Sequence, residues 1–234
     1  MKQAIWDKFC SRFSIAETCV PLFATDAEGN VQHKPVGKDQ RPILKRSDEC
    51  EAMILSVTDL LVDDWENRTN QFDGMLYMMG LKEAGKFVPL YIGKSETFGK
   101  GDRNLSANIK NLHKDKSKFA RWGDNYAYHI GDLSACVLLG HAEEKKTLKY
   151  QSWADCLFTQ GTHLRQPVYF WAKAWKPAHI GSWEEYGATS LAFLEYMLIG
   201  VAGQIGSYIY KSISVRISSK AITPLTGITP LTSR

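Results

Sequence analysis

The stretch GMLYMMGLKEAGKFVPLYIGKS, residues 74–95, decides how this chain is read. It holds two apolar runs, GMLYMMG at 74–80 and KFVPLYIGKS at 86–95, rich in Val, Leu, Ile and Tyr. Such side chains suit a pleated, half-buried surface. LKEAGK (81–86) lies between them and reads as a turn, so the pair predicts a β-hairpin of adjacent antiparallel strands. Each strand delivers one tyrosine, Tyr77 and Tyr91. The second ends in Gly93, followed by Lys94 and Ser95. Glycine at that point lets a backbone or a phosphate come close.

Upstream, Ile5, Trp6, Phe9 and Phe13 stand at helical spacing and predict an amphipathic helix within residues 1–20. Gly29, Pro35, Gly37 and Pro42 break the segment 21–48, which reads as loop with a short hairpin. Ser47 is placed to cap a helix over roughly 48–65, with Met53, Ile54, Val57, Leu60 and Leu61 as its core stripe. Downstream, the pattern predicts a helix over about 103–121, a strand at 126–133 and a helix over 143–158. An aromatic strand at 167–175 and a long helix from about 189 follow. The last stretch repeats ITPLT and is expected as a disordered tail.

The bulk composition bounds the answer. An apolar fraction of 44% supports a real core, and a charged fraction of 23% argues against a disordered chain. The five cysteines, Cys10, Cys19, Cys50, Cys136 and Cys156, include no CxxC pair. That speaks against a zinc site and for a reducing, cytoplasmic compartment. Residues 190–210 are long enough to span a bilayer, but Glu195 lies inside, at ~2.5–3.5 kcal/mol on insertion scales. A buried helix and no membrane partner are expected.

Charge is unevenly spread. The whole chain carries a net +4. Between Lys94 and Arg121 stand Lys94, Lys100, Arg103, Lys110, Lys114, Lys116, Lys118 and Arg121, against Glu96, Asp102 and Asp115. This local excess beside the tyrosine strands suits contact with a nucleic-acid backbone. Glu195, amid Leu, Phe and Met in SLAFLEYMLIG, is costly unless paired or bound to a cation. His129, His141, His163 and His179 show no metal-binding spacing and read as structural.

MLY at 75–77 and YIGKS at 91–95, in this order and joined by a short turn, resemble the GIY-YIG nuclease family. YIG matches literally, whereas Met75 and Leu76 replace the first Gly and Ile. The resemblance covers roughly residues 72–205. It implies a small antiparallel sheet flanked by helices, with the two tyrosines on its catalytic face. One tyrosine helps deprotonate or orient the attacking water, and a helix glutamate binds a divalent metal, Mg²⁺ or Mn²⁺. By this resemblance Tyr77 and Tyr91 map onto the tyrosine pair and Glu195 onto the metal-binding acid. His113 stands near the family's helix histidine. Asn108 occupies the place where that helix carries arginine, so Arg103 is the first choice for the phosphate-facing arginine and Arg121 the fallback. Gly93, Lys94, Lys100, Lys110, Lys114, Lys118 and Arg121 are the expected nucleic-acid contacts. The family's C-terminal asparagine has no counterpart after Glu195; Gln204 and Ser207 are the available substitutes.

The expectation is therefore an α/β (α+β) protein with a small central antiparallel sheet. It comprises a helical N-terminal extension over 1–70, a GIY-YIG-like domain over 71–215 and a tail over 216–234. The expected activity is divalent-metal-dependent endonucleolytic hydrolysis, with double-stranded DNA as substrate. The alternative is a nucleic-acid-binding module on the same fold that has lost catalysis.

Overall fold

The computed structural model describes residues 1–99 and 104–203. Lys100, Arg103, Gln204, Ser207 and the expected tail at 216–234 lie outside the described residues. The predicted hairpin forms as β4 (Gly74–Glu83) and β5 (Lys86–Glu96), antiparallel and joined at Ala84 and Gly85. Both joining residues have positive φ, 48° and 77°. A two-residue turn of that hand matches the right-handed twist of the strands it connects. The strands run longer than their apolar cores because a turn this tight leaves Leu81 to Glu83 free to keep pairing.

The aromatic segment forms β6 (Tyr169–Trp175), which pairs with β4. A short β1 (Val20–Pro21) pairs with β6 on its other side. The sheet order is β1-β6-β4-β5, all antiparallel, so β5 is an edge. A second, two-stranded sheet consists of β2 (His33–Val36) and β3 (Arg41–Leu44).

Strand alternation divides the core. Met75, Tyr77, Met79, Phe170 and Ala172 face one side, where α3 (Asp48–Glu66), α4 (His129–Val137) and α5 (Leu148–Leu157) pack. Leu76, Met78, Ile92, Trp171 and Trp175 face the other, covered by α1 (Lys2–Arg12), α2 (Ile15–Thr18) and α6 (Leu191–Ala202). Each fully buried Leu, such as Leu194 and Leu198 of α6, contributes about 1.5–3 kcal/mol. Helix α3 begins as its sequence specifies. Ser47 Oγ accepts from the Cys50 N–H at 2.9 Å, and Asp48, Glu49 and Glu51 favour its positive end.

The N-terminal 70 residues are helical in α1, α2 and α3, but they also give the sheet its strand β1 and supply the β2–β3 hairpin. Two further expectations are corrected. Residues 104–115 form turns rather than a helix, and only a short 3₁₀ segment, Lys116–Arg121, follows. Leu105, Ile109 and Leu112 are buried at helix-like spacing, which is why the sequence misleads. Locally, Ser106 Oγ accepts from the Asn108 N–H, Asp115 accepts from Ser117, and Asn111 adopts a φ of 63°. Such side-chain bonds compete with the helical ladder. The segment expected as a strand at 126–133 instead turns into α4 at His129, where Asp132 accepts the Ala127 N–H at 2.9 Å. Among the described residues no helix is long and apolar enough to cross a membrane.

Candidate active site

Tyr77 on β4 stands opposite Gly93 on β5, so Tyr91, two residues back, lies diagonal to it on the same face. The two rings stack at 6.2 Å between centroids, tilted by 25°. Gly93 makes this possible. A Cβ there would lie 2.7 Å from Tyr77 Cε2 and 2.9 Å from both Cε1 and the hydroxyl of Tyr91. The glycine of YIG thus leaves the space into which both phenols fold.

Aromatic rings enclose the pair. Trp122 meets Tyr77 and Tyr91 edge-on at 6.3 Å each, and His129 and Trp153 meet Tyr91 at 5.0 and 5.2 Å. Burial raises the Tyr77 pKa well above that of an ordinary phenol. Tyr91, which also hydrogen-bonds to it, and Glu195 push the same way, while Arg121 opposes them. Tyr77 therefore stays protonated at neutral pH, and the geometry suits it to orienting rather than to accepting a proton. His129 is buried and held neutral by that burial, with Lys149 and Arg121 lowering its pKa further. Its Nδ1 lies 2.6 Å from the Tyr150 hydroxyl, and its Nε2 has no hydrogen-bond partner among the described residues.

Two cations border this aromatic layer. Arg121 sits in a left-handed conformation, φ 82°, with its guanidinium 5.6 Å from the Tyr128 ring centroid. Lys149, in the first turn of α5, holds its ammonium 5.3 Å from the Tyr91 ring, 4.9 Å from Tyr150 and 5.1 Å from Trp153. Desolvation lowers the Lys149 pKa to about 8. Arg121 adds to that shift and Asp132 opposes it.

Glu195 comes from the other layer. Helix α6 packs its leucines on the face opposite the tyrosines, and the half-buried Glu195 carboxylate reaches the edge of β5, accepting the backbone N–H of Lys94. Burial raises its pKa. Lys94 pulls it down and Glu96 pushes it up. The Glu195 charge also raises the Tyr77 pKa, although α6 and the tyrosine pair lie on opposite faces of the sheet. Lys94 itself is half-buried and ion-paired with Glu96.

The other sequence-predicted residues lie elsewhere. His113 is exposed and pairs with Asp59 of α3 at 2.6 Å, so its nearest partner is a surface carboxylate and not a tyrosine. Lys110, Lys114 and Lys118 are exposed along the 104–121 segment, while Lys116 pairs with Glu51 at 2.7 Å. Of the two arginines considered, Arg121 places its charge near Tyr77, and Arg103 lies outside the described residues. Lys149, Tyr150 and Asp132 escaped the sequence reading, and His129 passed as structural. The available signal was a lysine in the first turn of an aromatic helix, LKYQSW, where the helix dipole disfavours a cation.

Among the described residues no three His, Cys, Asp or Glu side chains gather as a metal cage. Mg²⁺ does not require one, since it keeps several waters and takes one or two carboxylates plus substrate phosphate. Glu195 fits that donor role. Its ionised form is destabilised by burial and by Glu96, so a cation beside it would relieve both. Compared with family models, with curated proteins and with solved structures, the chain matches none.

Proposed function

We propose that this chain is a divalent-metal-dependent endonuclease of GIY-YIG type that hydrolyses phosphodiester bonds of double-stranded DNA. The observation that carries the reading is the tyrosine pair folded across Gly93, with Arg121 acting on it from one side and Glu195 from the strand edge. In this reading the scissile phosphate lies beside Tyr91. Arg121 offsets its charge, which matters most as the attack adds charge to the phosphorus centre. The Tyr91 hydroxyl orients the attacking water. Tyr77, kept protonated by burial, hydrogen-bonds to Tyr91 and fixes its position. Glu195 would hold Mg²⁺ or Mn²⁺ on the opposite flank. That ion, when bound, supplies Lewis-acid neutralisation of phosphate charge. The exposed Lys110, Lys114 and Lys118 extend the positive surface along the DNA backbone.

One observation favours a second reading, in which the chain binds nucleic acid without cutting it. Helix α6 packs on the face opposite the tyrosines, so the acid must act around the sheet edge. Supercoiled plasmid DNA incubated with Mg²⁺ or Mn²⁺ decides between the two. The nuclease reading expects nicking or linearisation that EDTA abolishes. It also expects Glu195→Gln and Tyr91→Phe each to cut at least ~10²-fold more slowly with binding retained. Tight binding by the wild type without cutting at any metal concentration selects the binding module. Undiminished cutting by either variant removes that residue from the proposed machinery.

A further inference from the structure

Arg121 and Lys149 present an electrostatic puzzle. Both are half-buried, and among the described residues neither has a carboxylate within ion-pair distance. They border one aromatic layer. Lys149 lies over Tyr91 and Trp153, and Arg121 directly precedes Trp122, whose ring is 6.3 Å from those of both Tyr91 and Trp153. Lys149 also stands in the first turn of α5, which holds no acidic residue and where the backbone N–H groups add positive potential. Like charges held near one another at the cost of desolvation disfavour each other's charged form, and an anion placed between them would relieve both.

Resting on the proposed phosphodiester chemistry, the geometry points to Lys149 and Arg121 as a two-armed clamp for a single nucleic-acid phosphate, with Tyr91 between its arms and the attacking water. The arms differ in kind. Arginine is charged at every accessible pH, whereas a lysine ammonium is a point charge that can be titrated. The groups facing Lys149 are Arg121 from the 3₁₀ segment, Asp132 and His129 from α4, Tyr91 from β5, and Tyr150 and Trp153 from its own helix. Of these only Asp132 is acidic. It is half-buried, and its carboxylate is engaged by the Ala127 N–H. His129 is neutral throughout the relevant range. With its pKa at about 8, Lys149 is charged below that pH and neutral above it, so the clamp is complete in neutral solution and loses one arm as the solution turns alkaline. A bound phosphate favours the charged form and moves the transition upward.

The test is equilibrium binding of a fluorescein-labelled DNA duplex to the whole protein by anisotropy. It is run in EDTA from about pH 6.5 to about pH 9.5, a window below the ordinary lysine range. Wild-type affinity is expected to fall roughly tenfold across it, the effect of losing one charge-assisted contact. Lys149→Arg should stay tight and flatten the profile. Lys149→Gln should bind roughly tenfold more weakly near neutrality and also show no such limb. Lys118→Gln, on the exposed segment, should weaken binding at every pH and keep the limb. Wild-type binding that does not change across the range, a limb that survives in Lys149→Arg, or a Lys149→Gln variant that binds like wild type overturns the clamp. Plasmid cleavage separates this outcome from the parent reading. If the pattern holds in a protein that never cuts, the clamp stands and the nuclease falls. If the wild type cuts and Lys149→Gln cuts as fast as the wild type at both neutral and alkaline pH, the nuclease stands and the clamp falls.

Discussion

The two faces of the central sheet are packed from similar aromatic stock but treat their polar atoms oppositely. On the face covered by α1, α2 and α6, every indole of the sheet core has an acceptor. Trp6 Nε1 donates to the Phe87 carbonyl at 3.0 Å, Trp171 to Thr18 Oγ1 at 3.1 Å, and Trp175 to the Thr189 carbonyl at 2.7 Å. On the tyrosine face, Trp122 Nε1, Trp153 Nε1 and His129 Nε2 are buried without a hydrogen-bond partner among the described residues. A buried donor left unpaired costs about 1–3 kcal/mol. One face therefore behaves as scaffold, with its buried indoles paired. The other holds buried polar atoms without a partner among the described residues, two cations that form no ion pair among those residues, and a tyrosine pair. Buried polar atoms are paired in the great majority of cases, so a group of unpaired ones calls for an explanation, and a site held ready supplies one.

The tyrosine face is nonetheless anchored, and by ions rather than by apolar packing alone. Arg46 is 1% exposed, and its Nη1 donates to Asp124 and to the Trp122 carbonyl, each at 2.7 Å, while Nη2 reaches Glu51 at 3.0 Å. Lys34 adds to Asp124 at 3.2 Å. Arg46→Ala would leave Asp124 buried beside a single, partly exposed lysine and release the backbone that positions Trp122. The expected loss is about 3–5 kcal/mol, the largest of the effects considered, read from urea or thermal unfolding. A loss below about 1 kcal/mol would mean that the tyrosine face, like its opposite, stands on apolar contacts, and the contrast between faces would lose its structural half.

The parts that the sequence revealed are those in which one local signal suffices. The hairpin over 74–96 announced itself through two apolar runs and an intervening glycine. Ser47 followed by an apolar stripe at helical spacing announced α3, and the aromatic run announced β6. The segment after β5 was not legible, because burial of Leu105, Ile109 and Leu112 mimics a helix while Ser106, Asn111 and Asp115 bend the backbone into turns. Helix α4 was missed because a short apolar segment carries too few periods to separate strand from helix. In the site, residues attached to a motif, Tyr77, Tyr91 and Gly93, could be read. Lys149 could not. Its meaning lies in three rings and an arginine brought to it from β5, its own helix and the 3₁₀ segment, and no spacing in the chain encodes that meeting.

A pair of glycines sharpens the comparison at smaller amplitude. A Cβ on Gly93 would collide with Tyr77 and Tyr91, whereas one on Gly200, exposed on α6, would meet nothing within 4 Å. Gly93→Ala should cost about 1–3 kcal/mol through overpacking, and any cleavage should fall further than the stability loss explains, because the phenols themselves are displaced. Gly200→Ala should stabilise by up to about 1 kcal/mol through helix propensity, with no effect on cutting. Equal tolerance at both positions, measured by denaturant midpoints, would show that the tyrosine pair has room to spare and that Gly93 does not set its geometry.

The smallest effect bears most directly on the contrast of the two faces. Trp153 and Trp175 are both 0% exposed. Exchanging either for phenylalanine removes a similar volume from a similar aromatic setting, so the packing penalty is shared and largely cancels between the two variants. What differs is the N–H. Trp175→Phe discards a made hydrogen bond and leaves the Thr189 carbonyl without that donor. Trp153→Phe discards a donor that has no partner among the described residues. Trp175→Phe should therefore be the more destabilising by about 1 kcal/mol, with thermal unfolding of both variants in one buffer as the measurement. Equal costs would mean that Trp153 is satisfied in solution after all, by water entering the tyrosine face. A face that admits water is not the dry, preorganised surface on which Arg121 and Lys149 would act at full strength.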